Sequence, residues 1–411
     1  MGFQQGLSGL KAASKSLEAI GNNVANAQTV GFKSSQAQFA DVYASSLNGS
    51  GSSTTGIGVK VADIAQQFTQ GNVTASNSPL DLAINGNGFF RMSNNGTVTY
   101  GRNGQFKLDE NGFISNAGGA HLTGYAVDAN GVLSTGAPAD LRIVTTDLSP
   151  KATTSVKAGL NLDSRITAPV APLTRPTFSV SDPTSYDNAT SVSVFDSLGN
   201  AHVLQTFFVK SATAGTWDIY AASDGVAIGT APVGQLAFSS GGVLTTPMPL
   251  TPPVSIVLTN GATTPLKIPL DFTGTTQFGA NFSVNKLAQD GFTSGRLSGF
   301  NIGADGTLVG RYTNGESSTL GQVVLASFAN PNGLQPLGGN AWAESSTSGQ
   351  PLVNRPGSGS LGVLQSSAVE DSNVDLTAEL VNMITAQRYY QANSQTIKTE
   401  DQVLQTLINL R

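Results

Sequence analysis

Hydrophobic residues recur at helical spacing at both ends of the chain and at strand spacing between them. From Phe3 to Asn26 the large apolar residues lie on one face of a helix. The C-terminal stretch repeats this pattern over a longer run, and Asp371, Ser372 or Asn373 can cap its start. We predict two amphipathic helices, whose apolar stripes are Leu7, Leu10, Leu17, Ile20 and Val24 in the first and Leu376, Leu380, Met383, Tyr390, Ile397, Leu404 and Ile408 in the second.

Short alternating segments separated by Asn-Gly and Asp-Gly pairs fill the middle of the chain. Such pairs favour the positive φ angles of tight hairpin turns. Between about Thr145 and Gly279 the texture changes to a Pro/Thr/Ala-rich one, and the hairpin style returns from Phe282. One β-domain is therefore predicted to be interrupted by another. The hairpin turns are expected at Asn95-Gly96, Asn103-Gly104, Asn111-Gly112, Asn130-Gly131, Asp290-Gly291, Asp305-Gly306, Asn314-Gly315 and Asn332-Gly333.

These patterns predict a mainly β protein with α-helical termini. The terminal helices should pair as a coiled coil, and two β-rich domains should lie between them, one nested in the other. The predicted divisions are residues 1–70 (first helix and connector), 71–144 (first part of the inner β-domain), 145–281 (inserted outer β-domain), 282–360 (second part of the inner β-domain) and 361–411 (C-terminal connector and helix).

Composition narrows the possible functions. Charged residues make up 11% of the chain and the net charge is −5, so no basic surface is available for a nucleic acid. Cysteine is absent, and His121 and His202 are the only histidines, which excludes disulfides, thiolate sites and a His-rich metal site. We expect no catalytic centre, no cofactor and no metal.

Targeting signals are weak in this sequence. No apolar run reaches the ~18 residues of a membrane span, so membrane insertion is not expected. Lys11 and Lys15 interrupt the place where a signal peptide would be apolar. The low charge and abundant Gly, Ser and Thr nevertheless suit an extracellular protein, so we expect export without a cleaved leader.

The terminal helices are too sparsely apolar to fold alone. Each buried Leu or Ile contributes about 1.5–3 kcal/mol, whereas ordering one residue costs about 1–2 kcal/mol. Five large apolar residues in the first helix cannot offset that cost. We therefore expect the helices to bury their stripes against each other and against other copies of the chain.

Several ordered motifs near both ends resemble those of bacterial flagellar axial proteins, the rod and hook subunits. In the N-terminal region the likeness includes Asn22, Asn23, Asn26, Gly31 and Phe32. It extends over Leu7-Ser8-Gly9-Leu10, Ile20 to Asn26, Thr29 to Lys33, Leu82 to Phe90, Gly101 to Phe106, Glu379-Leu380-Val381 and Gln387 to Asn393.

Within this family the chain fits hook subunits best, because distal-rod subunits are much shorter and lack a large second β-domain. The resemblance implies a subunit that assembles into the curved tube linking the motor's drive shaft to the filament. It also implies partners: other copies of the chain, rod proteins, hook–filament junction proteins, a hook cap and the flagellar type III export apparatus. The location implied is the extracellular hook.

Other interpretations stay open at this stage. A distal-rod-type axial protein is one alternative, and a secreted β-rich adhesin or carbohydrate-active enzyme is another. Asn22, Asn23 and Asn26 are poor helix formers, and either cap the helix end or bond between subunits. Phe39 and Tyr43 are similar to the Phe and the apolar residue four positions later that export substrates of the family carry near the N-terminus, which implies an export signal. In a short helix their rings would share one face; packing against the coiled coil explains them equally well.

Overall fold

The computed structural model describes residues 2–42, 56–128, 131–134, 136–144, 146–168 and 176–409. Two long helices stand at its ends, α1 (Gly2–Ala25) and α2 (Leu376–Asn409). The predicted caps of α2 are wrong: Asp375 Oδ1 instead accepts hydrogen bonds from the amides of Thr377 (2.9 Å) and Ala378 (3.2 Å). Asn373 cannot cap because its side chain is bonded elsewhere, as described below.

Among the described residues, ten strands follow α1. The first two form a long antiparallel hairpin of their own, β3 and β4 form short pairings with strands near α2, and β5 to β10 belong to a large sheet. The strands are β1 (Ser35–Val42), β2 (Gly58–Gln66), β3 (Val73–Ala75), β4 (Leu82–Asn85), β5 (Phe89–Asn94), β6 (Thr97–Gly101), β7 (Lys107–Leu108), β8 (Ile114–Ser115), β9 (His121–Ala126) and β10 (Ala139–Asp140).

The next ten strands in the described part of the chain, and one short 3-10 helix (Pro183–Ser185), belong to a separate part of the fold. They are β11 (Val156–Asn161), β12 (Asn188–Phe195), β13 (Ala201–Lys210), β14 (Thr216–Ser223), β15 (Val226–Ala227), β16 (Gly234–Ala237), β17 (Val254–Ile256), β18 (Leu266–Ile268), β19 (Leu270–Asp271) and β20 (Ser283–Gln289).

Nine strands and a second 3-10 helix (Pro331–Gly333) lead to α2. They are β21 (Leu297–Ile302), β22 (Thr307–Tyr312), β23 (Ser317–Val323), β24 (Leu325–Ser327), β25 (Gln335–Gly338), β26 (Ala341–Ala343), β27 (Leu352–Asn354), β28 (Val363–Ser366) and β29 (Ala368–Glu370).

The chain divides into two compact units. The first contains residues 1–145, 299–310 and 317–411, and the second contains residues 146–298 and 311–316. The second unit continues beyond residue 281, because β20 pairs with β11 along its length. The predicted domain division stays a prediction, and its boundary at 281 falls before this strand.

In the first unit a sheet runs in the order β21-β22-β23-β9-β5-β6-β26-β25. Its core contains Phe89, Tyr100, Phe328 and Trp342, whose rings meet edge to face with centroids 4.8–5.9 Å apart. Two short pairings, β29 with β3 and β28 with β4, tie the segment before α2 to the segment after the β1–β2 hairpin.

In the second unit one sheet runs β12-β13-β14-β15, and β16 also pairs with β14, along the edge that β15 uses. Another sheet runs β19-β11-β20. Trp217, Phe208 and Phe272 are buried between them. The two ends of its segment 146–298 meet, since the amide of Leu148 donates to the carbonyl of Gly295 at 2.7 Å. The mainly β fold with helical termini is thus confirmed.

Candidate assembly surface and its anchoring junction

The two terminal helices pack antiparallel through small residues. A Cβ atom added to Gly6 would lie 3.0 Å from Cγ1 of Ile397, and one added to Gly9 would meet the side chain of Asn393. Ala12, Ala13 and Ala19 are buried on α1. The missing Cβ atoms let the helices approach closely, which the pattern of large apolar residues alone does not predict.

The helix pair therefore buries little of the predicted apolar stripe completely. Ile20 is buried, whereas Leu10, Leu17, Val24, Met383 and Ile397 are half-buried. Ile408 lies within α2, with a side chain outside the described residues. The exposed side chains define what we call the exposed apolar surface of the helix pair: the predicted Leu7, Leu376, Leu380, Tyr390 and Leu404, together with Phe3, Val381, Ile384, Tyr389 and Val403, which the stripes missed.

Asn23 joins three parts of the chain. Its side chain exchanges hydrogen bonds with the backbone of Ser35 (2.9 and 2.8 Å) and donates to Oε1 of Glu379 on α2 (2.9 Å). Asn26 closes the helix end, donating to the carbonyl and side-chain oxygens of Asn22, both at 3.0 Å. Asn23 and Asn26 thus have partners within the chain, as helix-end capping predicts for Asn26.

Gly31 allows the chain after α1 to pass against the β-domain. Its φ is +72°, which suits glycine, and an added Cβ would lie 2.5 Å from the amide nitrogen of Asn103. The Gly31 amide donates to the carbonyl of Glu370 (2.7 Å), and the neighbouring Phe32 is buried. Both signature residues therefore belong to a junction between the helix pair and the β-domain.

Three charged side chains are buried together at this junction. Nζ of Lys33 lies 2.6 Å from Oε1 of Glu370, and Nη1 of Arg102 lies 3.0 Å from Oε2. Arg102 also faces the Phe89 ring at 5.5 Å. Burial lowers the pKa values of Lys33 and Arg102, and the Glu370 carboxylate opposes that effect for both. We call this cluster the junction triad.

Further bonds complete the junction. Asn373 accepts from the Ser34 amide (2.8 Å) and donates to the carbonyl of Gln67 (2.8 Å). Nζ of Lys33 donates to the Thr69 carbonyl (2.7 Å). Because the segments after α1 and before α2 are bonded to the same β-domain, the helix pair is held at a fixed place in the first unit.

Phe39 lies on β1 and is 43% exposed. The short helix suggested for this stretch is wrong for residues 39–42, which pair with β2. Tyr43 lies outside the described residues.

Asp109 and Asp128 stabilise turns. Oδ1 of Asp109 accepts from the amides of Asn111 (2.9 Å) and Phe113 (2.7 Å), and Oδ1 of Asp128 accepts from Val132 (2.9 Å). Within the described ranges no group of three metal-ligating side chains occurs. None of the helices there is both long and apolar enough to cross a membrane.

The family models that match this chain describe structural proteins of the flagellar axis. The matching family models are the flagella basal body rod protein (residues 3–33), the flagellar hook protein FlgE/F/G D1 domain (83–194), the flagellar basal body protein FlaE D2 domain (161–292) and the flagellar basal body rod FlgEFG protein C-terminal region (365–410).

Full-length relatives give the particular family. The flagellar hook protein FlgE of Salmonella typhimurium is 45% identical over 419 residues, covering 100% of both chains, and that of Escherichia coli is 44% identical with the same coverage. The chain belongs to the flagellar hook protein FlgE family and is a structural subunit of the hook. The crystal structure of Helicobacter pylori hook protein FlgE2 shares its fold, with a TM-score of 0.55 over 72% of this chain and 13% identity.

Proposed function

We propose that copies of this chain polymerise into the hook tube through the exposed apolar surface of the helix pair. The observation that carries the proposal is the use of small residues for the intrachain contact, which leaves large ones outside it. Leu380 is 49% exposed on α2, and Leu404 is 53% exposed. Single exposed apolar side chains are ordinary on a protein surface, whereas exposed apolar residues that recur along two helices indicate an interaction surface. The chain then acts as a building block and not as an enzyme.

The junction supports this role mechanically. The triad and Asn373 fix the helix pair to the β-domain of the first unit. A force applied to the helices is therefore transmitted to that domain without a flexible connection. This property suits a subunit that transmits torque between rod and filament proteins, which we propose as its neighbours.

The surface is tested by Leu380→Asp, with Leu198→Asp as the matched control. Leu198 is 56% exposed in a turn of the second unit. We expect purified Leu380→Asp protein to remain folded by circular dichroism and to form no tubes in electron micrographs, while the control polymerises normally. Normal tubes from Leu380→Asp would contradict the proposal.

Phe39 is proposed to contribute to export by the type III apparatus. Its exposed ring on β1 is accessible for recognition while the chain is unassembled. Phe39→Ala combined with Tyr43→Ala should reduce secretion while the intracellular protein persists. Normal secretion followed by failed assembly would instead support a packing role.

The second unit is proposed to tune the shape of the tube. It has a core of its own, and the ends of its segment 146–298 are joined by the Leu148–Gly295 bridge, so a short Gly/Ser linker can replace that segment. We expect that variant to form tubes of altered curvature. Loss of all tubes, or tubes of unchanged curvature, would contradict this role.

A further inference from the structure

A groove of about 640 Å³ runs along the N-terminal half of α1, between that helix and β2. Leu7, Leu10 and Val61 contribute apolar surface to it, and Lys11 and Lys60 add positive charge. Lys11 and Lys60 form no ion pair with any described residue, whereas the nearby Lys15 is paired with Glu18 at 2.6 Å. The groove thus combines an apolar floor with two unneutralised cations.

The C-terminal part of α2 extends past the start of α1. Gly2 lies against Glu400 and Gly6 against Ile397, so residues from Asp401 onward have no part of α1 beside them. At 1.5 Å per residue the nine residues 401–409 project about 13 Å. We call residues 401–409 the overhang.

The side of α2 that faces α1 continues into the overhang. Leu404 follows Ile397 by seven positions and therefore lies on the same side of the helix. It is 53% exposed, and Asp401 is exposed with a single side-chain partner, Gln405, at 3.0 Å. The overhang thus presents an apolar residue beside an acidic one.

We propose that the overhang of one copy docks in the α1–β2 groove of a second copy. Leu404 would cover the apolar floor, and Asp401 would pair with Lys11 or Lys60. The proposal rests on polymerisation through the helix pair and names the two surfaces that meet there. Their chemistry is complementary in both charge and polarity, which favours correct pairing and suppresses wrong registers.

The same chain cannot make this contact. Gly2, Gly6 and Gly9 face α2, and successive helix residues turn by about 100°, so Leu7 and Lys11 point away from it. The contact joins different patches on two copies. A heterologous contact of this kind propagates into an open helical assembly unless its rotation closes a ring. A tube requires such an open helical assembly.

Charge exchange tests the pairing. Lys11→Glu combined with Lys60→Glu should raise the critical concentration for polymerisation about tenfold, as should Asp401→Lys, because each places like charges together. Combining all three changes should return it close to the unsubstituted value. Lys267→Glu with Asp401→Lys is the matched control and should give no recovery, since Lys267 is an exposed lysine of the second unit.

Disulfide cross-linking tests the geometry of the contact. The chain has no native cysteine, so only the introduced cysteines can form disulfides. Within one chain the positions of Lys11 and Asp401 are about 15 Å apart along the helix pair, beyond the ~7 Å that a disulfide spans. A variant carrying Lys11→Cys and Asp401→Cys should therefore give a ladder of cross-linked chains after oxidation of the polymer. Lys267→Cys with Asp401→Cys should give none.

The outcomes separate the two proposals. A ladder together with charge-exchange recovery supports docking in the groove. Tubes that form normally with neither result overturn the docking, for example because another part of the neighbouring chain occupies the groove, while polymerisation through the helix pair stands. Normal tubes from Leu380→Asp overturn the polymerisation proposal itself.

Discussion

The helix pair and the second unit bury apolar residues in contrasting ways. The second unit encloses Trp217, Phe208 and Phe272 in a continuous core. The helix pair buries Ile20, Gly6 and a series of alanines, while its large side chains are mostly exposed. A region with its own core is stable in one chain, whereas a region with exposed large residues gains most of its stability from neighbouring copies.

Hydrogen exchange on the soluble monomer gives the largest expected contrast. Amides in the core strands of the second unit should be protected at least about 1000-fold, corresponding to global unfolding of several kcal/mol. Amides from Met1 to about Val30 and from Ser372 to Arg411 should show no protection. Strong protection of both helices in a proven monomer would remove the contrast.

Phe208→Ala should destabilise the second unit by about 3–5 kcal/mol, since it leaves a cavity in the core. Phe278→Ala is the matched control, because that ring is 51% exposed. Each unit contains one tryptophan, Trp217 or Trp342. Unfolding of the second unit can therefore be followed by fluorescence in a Trp342→Phe background.

Glu370→Gln should destabilise the first unit by about 3 kcal/mol or more, because it leaves Lys33 and Arg102 buried without a counter-charge. Denaturant unfolding followed through Trp342, in a Trp217→Phe background, measures the loss. Adding Lys33→Met should recover part of it by removing one uncompensated charge. An unchanged midpoint for Glu370→Gln would show that the triad does not hold the junction.

Two glycines of α1 test how closely the terminal helices pack. Gly6→Val should weaken the pair by roughly 1–3 kcal/mol, since the new side chain meets Ile397. Gly21→Ala should instead favour the helix by up to about 1 kcal/mol, because open space surrounds that position. The critical concentration for polymerisation should rise for the first and fall for the second; equal effects would contradict close packing at Gly6.

The smallest expected effect is a pH dependence of the second unit. Nδ1 of His202 lies 2.8 Å from Asp224, and Nε2 lies 3.4 Å from Asp196. Burial acts to lower the pKa of His202, but the two carboxylates raise it on balance. A raised folded-state pKa gives a contribution that is complete below the ordinary value of about 6.5 and is lost as pH rises through the folded value.

The thermal midpoint of the second unit should therefore fall slightly as pH is raised from 6 to 9. His202→Gln should flatten that trend, while His121→Gln, which lies in the first unit, should leave it in place. A trend unaltered by His202→Gln would assign it to other groups.

Local patterns predicted the helices and several turns. The hairpin at Asn95-Gly96 is confirmed between β5 and β6, with φ angles of +50° and +87°, because its geometry depends on adjacent residues only. Asn103-Gly104 forms no hairpin between strands; its glycine instead lies against the Leu82 carbonyl. A close approach between distant segments gives no local signal that separates it from a turn.

The junction triad could not be predicted from the sequence, because it too depends on contacts between distant segments. Lys33 and Arg102 lie in the motifs that carry the family resemblance, but Glu370 lies far along the chain from both. Only the pairing of β29 with β3 brings the carboxylate to them. Periodicity likewise located the apolar stripe but not the face used for pairing, because small residues carry little hydrophobic signal.

The antiparallel helix pair has a practical consequence for labelling the protein in cells. The first residues of α1 and the last residues of α2 lie at the same end of the pair, about 50 Å along α2 from the junction. A fluorescent protein or epitope fused at this end of the helix pair therefore lies beside the overhang and the groove, and should block the addition of further subunits to the polymer. The loop at Gly229, which is exposed and where an added Cβ would have no atom within 4 Å, is the better insertion point for imaging.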